Sequence, residues 1–376
     1  MPLGPVNVSG ASLYYDDSLA PAGSTTYVTL VLIHGTMFSS AIFRKMIPFA
    51  IANDLRLVLL NLRDYPGSTR YTPEELQQLR SSNRDVQSTA IVTRGLEIAE
   101  FIRWFIETER IPPISEGSSP GRAFSGGFAV LGWSSGNCQT VPLLAHGDKV
   151  PAETRRLFNN YFRTFIFYDM STTAMGEPAP AGLYSPFRDS TLSGEEKTAA
   201  FPLWVSSYWT QLTLPFAEDS ESSEFAPVLL ARTPANKGID GSTKDDRYSL
   251  FAPTILRMST QVFADVTDPS VMARSQFFFQ HVDRTIYQEN IRRAIFDCPL
   301  DGENIIWPKV KAHIVWCDMT TGDVAYASNR VKYLAKHYSE GAKNKRDLTF
   351  HKLAQANHFM HWDDPERLTK YLAGIV

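Results

Sequence analysis

Cysteine is scarce in this chain: its 376 residues hold three, Cys138, Cys298 and Cys317. The count is odd and no C-x-x-C pair occurs, so neither a disulfide framework nor a zinc knuckle is suggested. Charge of one sign is also lacking. Lys and Arg number 37 against 40 Asp and Glu, a formal net charge of −3, which points away from nucleic acid and from anionic membrane surfaces as partners. No apolar stretch is long enough to span a bilayer. The first residues, Met-Pro-Leu-Gly-Pro-Val-Asn-Val-Ser, carry neither a basic n-region nor an apolar h-region. The expectation is a cytoplasmic protein, with its oligomeric state unread. The histidines and acids lack ligand spacing such as H-E-x-x-H, and no nucleotide loop is present, so neither a metal nor a cofactor is expected.

What is there reads as an ordinary globular chain, 43% hydrophobic and 20% charged. It is long enough for one large domain or two medium ones. Thr26 to Ile33 and Leu55 to Leu62 are apolar almost throughout, as central strands covered on both faces should be. Further strands are expected at Ala11 to Tyr15, Phe128 to Leu131, Phe162 to Tyr168, Ala312 to Cys317 and Leu348 to Leu353. Helical patterns lie between them, at Ala41 to Asn53, Asp85 to Glu109, Cys138 to His146, Ala325 to His337 and Pro365 to Leu372. Ile111 to Gly127 is a Pro/Ser/Gly loop, long for its place. The alternation predicts an α/β fold: a mostly parallel sheet flanked by helices. It stops after Asp169. From Met170 to about Leu300 the pattern is helical, notably Val271 to Phe296, with turn clusters near Glu221 and at Asn236 to Asp246. Residues 170–300 therefore read as a cap inserted after the sixth strand, with 1–169 and 301–376 as the core domain.

Gly132-Trp133-Ser134-Ser135-Gly136 fits G-x-S-x-G between a short buried strand and a helix. That context makes the motif a nucleophile elbow, in which a strained turn exposes the central serine and demands small neighbours. Nucleophilic catalysis then needs a base, a carboxylate to orient it, and donors for the oxyanion. Sheets of this kind bind ligands beyond the carboxyl ends of their strands, so each group is sought there. His34-Gly35-Thr36 follows a central strand, and the N–H of Thr36 with that of Ser135 would form the oxyanion hole. His358, after the last strand, is the preferred base, with His361 as its rival. Asp323 is the preferred acid, Asp318 the alternative and Asp169 a third option.

The chain resembles the capped α/β-hydrolases. The resemblance rests on His34-Gly35-Thr36, Arg63-Asp64-Tyr65-Pro66-Gly67-Ser68, the Ser134 elbow, and Asn357-His358 with Pro365 beyond. It covers about 1–169 and 301–376. The family's G-x-x-D acid motif is broken, since Thr320 stands where the acid usually does. A serine at the elbow, where relatives that open epoxides or remove halogens carry aspartate, implies acyl chemistry.

The cap is rich in aromatics, and three consecutive ones, Phe277-Phe278-Phe279, cannot all face one side of a helix. Trp204, Trp209 and Phe278 are candidate substrate contacts, as are Met37 and Trp133 beside the catalytic motifs. The expected activity is that of an esterase: a serine hydrolase cleaving an ester, thioester or lactone of a hydrophobic small molecule through an acyl-enzyme. Acyl transfer or cyclisation in secondary metabolism, and a non-hydrolytic ligand receptor, are the other readings.

Overall fold

A computed structural model describes residues 2–7, 9–116, 124–212, 222–235, 250–338 and 344–376. Its sheet has eight strands: β1 (Leu3–Pro5), β2 (Ser12–Asp17), β3 (Val28–Ile33), β4 (Leu55–Leu60), β5 (Phe128–Trp133), β6 (Phe162–Tyr168), β7 (Lys311–Cys317) and β8 (Leu348–Leu353). Their order is β1-β2-β4-β3-β5-β6-β7-β8. Pairing is antiparallel for β1–β2 and β2–β4 and parallel elsewhere. Parallel neighbours need crossovers, and helices supply them: the helical turns of 40–53 after β3, α1 (Arg84–Glu109) after β4, α2 (Asn137–Ala145) after β5, α3 (Gly194–Ser206), α4 (Thr260–Val266) and α5 (Arg284–Ile291) between β6 and β7, and α6 (Gly322–His337) between β7 and β8; α7 (Pro365–Ile375) follows the last strand.

Strands β3, β4 and β5 are buried at every residue. Alternate residues enter two separate apolar layers. Val31, Ile33, Val58, Leu60 and Val130 pack with α1, α2 and α6. Leu30, Leu32, Leu57, Leu59 and Leu131 pack with α7 and the helical turns of 40–53. Period-two strands covered on both sides require this split. Each fully buried Leu, Ile or Val contributes about 1.5–3 kcal/mol relative to exposure.

Helix α1 is capped by Asn83, whose side chain accepts from the N–H of Asp85 and Val86, and ends at Arg110 in the left-handed region. Its Gly95 lies against the backbone of Leu143 and Pro142, so α1 and α2 touch closely. Arg63 fastens the loop after β4 to α1 through Glu97, at 2.7 Å, and also reaches Glu75 at 2.8 Å.

The segment between β6 and β7 differs in detail from expectation. Val271 to Phe296 is not one helix. It runs through a π-turn (Met272–Gln276), a short helix (Phe277–His281), a break at Val282 and Asp283, then α5 and a second π-turn (Arg292–Phe296). Asp283 makes the break by accepting from the Thr285 N–H, an N-cap that competes with helix continuation. A short hairpin, Leu300–Asp301 with Asn304–Ile305, closes the segment. Its apolar side chains join the layers already formed: Phe279, Ile286, Tyr287 and Ile295 on one face, Phe201, Val205 and Met272 on the other. The turn clusters near Glu221 and at Asn236 to Asp246, and the middle of the 111–127 loop, lie outside the described residues.

Candidate active site

The elbow is built by sterics. Ser134 has φ of 56°, the left-handed region that non-glycine residues seldom adopt. A Cβ on Gly132 would sit 2.4 Å from Thr140 Oγ1, and one on Gly136 would sit 2.4 Å from the carbonyl oxygen of His34. Only glycine lets the turn nest between α2 and the His34 strand end. Asn137 closes it: its Nδ2 donates to the carbonyl oxygens of Gly132 and Ser134, at 2.7 and 3.0 Å. Gly35 packs directly against Ser134, where an added Cβ would meet Ser134 Cβ at 2.9 Å.

Two buried side chains hold the 34–37 loop. The Leu62 N–H donates to His34 Nε2 at 3.0 Å, so Nδ1 carries the proton and donates to the Gly35 carbonyl at 2.9 Å. Burial pushes His34 down to about 4, so the ring is neutral. Tyr65 donates to the same carbonyl at 3.3 Å and accepts from the Met37 N–H at 2.8 Å. Thr36 Oγ1 and Ser135 Oγ are 2.6 Å apart, which ties the two donor segments together. No acceptor takes the Thr36 N–H among the described residues.

His358 is 1% exposed, and its Nδ1 lies 2.9 Å from Asp169 Oδ2. The second oxygen of Asp169 accepts from the Cys317 N–H at 2.7 Å. A carboxylate only accepts, so Nδ1–H donates to it and Nε2 is left as the free acceptor. Thr320 Oγ1 is 3.4 Å from the same Nδ1. Trp133 braces the pair: its ring centroid is 4.9 Å from the His358 ring, and its Nε1 donates to the His358 carbonyl at 3.1 Å.

The acids expected first at this position do not bond His358. Asp323 was expected in the loop after β7, but α6 begins at Gly322, so Asp323 falls in its first turn. There Arg188 grips both oxygens, at 2.6 and 3.1 Å, and Thr172 donates to Oδ1 at 3.2 Å. Asp318 is buried and accepts from Gln211 Nε2 at 2.7 Å. His361, the rival base, is enclosed by the rings of Trp133, Phe43 and Phe359. Burial and the neighbouring His358 hold it well below the usual histidine range.

Ser134, His358, Thr36 and Ser135 line one cavity of about 280 Å³. Phe187, Phe201 and Trp204 form an aromatic part of its wall, with Phe187 and Phe201 stacked at 4.6 Å. Another part is polar: Thr172, Arg188, Thr321 and Asp323. The wall is thus mixed rather than hydrophobic throughout. Of the expected substrate contacts, only Trp204 lines this cavity. Trp133 is buried beneath His358. Phe278 lies under the Arg80 guanidinium at 3.8 Å. Trp209 pairs with Pro234 through its backbone, and its backbone N–H donates to the Met319 carbonyl. Met37 borders a second, apolar trough of about 920 Å³ with Pro202, Phe263 and Phe277. Among the described residues no cluster of three His, Cys, Asp or Glu side chains could hold a metal ion, and no helix is long and apolar enough to cross a membrane.

No protein-family model matches the chain, and no curated protein matches it in sequence. Solved structures do. A candidate aryl esterase from Burkholderia cenocepacia is similar over 100% of this chain and 97% of its own, with a TM-score of 0.50 and 13% identity. An esterase from Exiguobacterium antarcticum is similar over 100% and 99%, with a TM-score of 0.45 and 11% identity. A laboratory-evolved variant of a potato epoxide hydrolase is similar over 100% and 98%, with a TM-score of 0.45 and 12% identity. Identities this low speak to the fold alone.

Proposed function

The chain has the α/β-hydrolase fold, and within it we propose a serine hydrolase acting on an ester, thioester or lactone. His358 Nε2 takes the proton of Ser134 Oγ, which attacks the carbonyl carbon. The N–H groups of Thr36 and Ser135 receive the oxyanion, and Asp169 fixes the His358 tautomer and stabilises the imidazolium. His358 then protonates the leaving group, and water resolves the acyl-enzyme. The 170–300 segment acts as the lid, supplying Trp204, Phe201 and Arg188 to the cavity wall.

The observation that carries this reading is the buried His358–Asp169 hydrogen bond, at 2.9 Å, beside a cavity that Ser134 also lines. A buried histidine whose Nδ1 is held by a carboxylate presents Nε2 as a base, and the left-handed Ser134 backbone is the strained turn that a nucleophile elbow requires. Hydrolysis of p-nitrophenyl esters tests it. Ser134→Ala should abolish turnover with the fold intact, and Asp169→Asn should lower kcat by about 10⁴-fold, as loss of the orienting carboxylate does elsewhere. Asp323→Asn should lower kcat far less. Retained turnover in Ser134→Ala overturns the reading, and a kcat collapse in Asp323→Asn but not in Asp169→Asn reassigns the acid.

A further inference from the structure

Asp323 is bonded away from the base, yet it faces the same cavity as Ser134 and His358. Arg188 holds it with two hydrogen bonds and is itself fixed by donating twice to the Leu183 carbonyl, at 3.2 and 2.8 Å. Thr172 supplies a third bond to Asp323. These contacts fix the carboxylate and neutralise its charge, and they use one bond at Oδ2 and two at Oδ1. A carboxylate offers about four lone-pair sites, so one acceptor position on Oδ2 is left.

Thr321, two residues before Asp323 in the chain, lines the cavity too. It is the N-cap of α6, but its side chain makes no capping hydrogen bond. A threonine at this position ordinarily accepts from the first turn. Its hydroxyl therefore has both donor and acceptor capacity to spend, in a residue 1% exposed, beside a pre-fixed carboxylate.

Building on the serine-hydrolase reading above, we propose that Thr321 and Asp323 form a seat for a hydroxyl group on the substrate, so that the enzyme selects hydroxylated acyl esters over plain alkyl ones. The substrate hydroxyl would donate to Asp323 Oδ2 and accept from Thr321. An alkyl chain in the same place would strip water from both groups and replace none of its hydrogen bonds, and sites built for a hydroxyl reject the analogue that lacks it. The phenylalanines and Trp204 cover the carbon skeleton.

The test compares kcat/KM for p-nitrophenyl 3-hydroxybutyrate and p-nitrophenyl butyrate, alongside fluorophosphonate labelling of Ser134 with 3-hydroxybutyrate or butyrate as protectant. The expected result is a preference for the hydroxylated partner of about tenfold or more. Thr321→Val should bring the ratio toward one; since the hydroxyl caps nothing, the variant should fold, and its melting temperature checks that. Asp323→Asn should narrow the ratio as well. A wild-type ratio of one or below, in turnover or in protection, overturns the inference while leaving the serine mechanism standing. An undiminished ratio in folded Thr321→Val does the same. Absence of both turnover and Ser134 labelling overturns the mechanism and the inference with it.

Discussion

Ser134 is held in the left-handed region by its neighbours rather than by its own preference, and the neighbours can be tested singly. A Cβ on Gly136 would lie 2.4 Å from the His34 carbonyl oxygen, a backbone atom that cannot rotate away. Either the elbow or the His34-Gly35-Thr36 segment must shift by about 1 Å to restore ordinary contact. Misplacement on that scale costs on the order of 100-fold in rate when reacting groups must align. Gly136→Ala is therefore expected to lower kcat about 100-fold with a smaller effect on melting temperature, measured on p-nitrophenyl acetate. At this scale the G-x-S-x-G spacing was legible because it reports sterics, which follow from the residues themselves. The partner of His358 was not. Asp169, Asp318 and Asp323 all follow strands that lie side by side, β6 and β7, so an acid at the end of either can reach His358. Which one does depends on where α6 starts, and a helix start is a local preference that packing easily shifts by a turn.

Helices and strands were easiest to read where burial is two-sided or strongly one-sided. Strand β6 and helix α1 fall within a residue of expectation because β6 ends in a run of four apolar residues, Phe165 to Tyr168, and α1 returns apolar side chains to one face from Ala90 to Ile106. The 271–296 segment misled because a continuous helical pattern says nothing against an internal cap, and Asp283 supplies one. Close helix packing was equally hidden. Gly95 reads as a weak point in α1, and replacing it with alanine should raise helix propensity by about 1 kcal/mol. The added Cβ would meet Leu143 N at 2.5 Å and the Pro142 carbonyl carbon at 2.6 Å, both backbone atoms of α2. Overpacking of this kind costs about 1–3 kcal/mol. The clash is expected to win, so Gly95→Ala should lower the urea midpoint with an unchanged slope; a raised midpoint would mean that α1 and α2 separate freely.

For the molecule as a whole, buried neutral histidines set the response to acid. Burial lowers His34 to about 4 and His361 well below its ordinary value, and it also lowers His313 to about 4, with His351 and Lys311 adding to that shift. Each binds a proton in the unfolded chain near pH 6.5 while remaining neutral in the folded one. Their contribution is therefore present above pH 6.5 and is lost as pH falls toward the folded values. For fully buried His34 the loss across that window is about 3 kcal/mol. Glu97 and Asp363, raised by burial, act in the opposite sense and offset part of it. Urea unfolding between pH 7 and 4.5 should show stability falling as the medium becomes more acidic; a flat profile would mean that these rings take up protons in place. His34→Gln isolates one member, because the amide keeps an acceptor for the Leu62 N–H without a titrating ring, and it should flatten the slope. A proton on His34 Nε2 would face the Leu62 N–H donor and break that bond, freeing the ring whose Nδ1–H holds the Gly35 carbonyl to shift. Turnover by the wild type should then fail at a higher pH than global unfolding does, since the placement of the 34–37 loop depends on that ring directly and the remaining core does not.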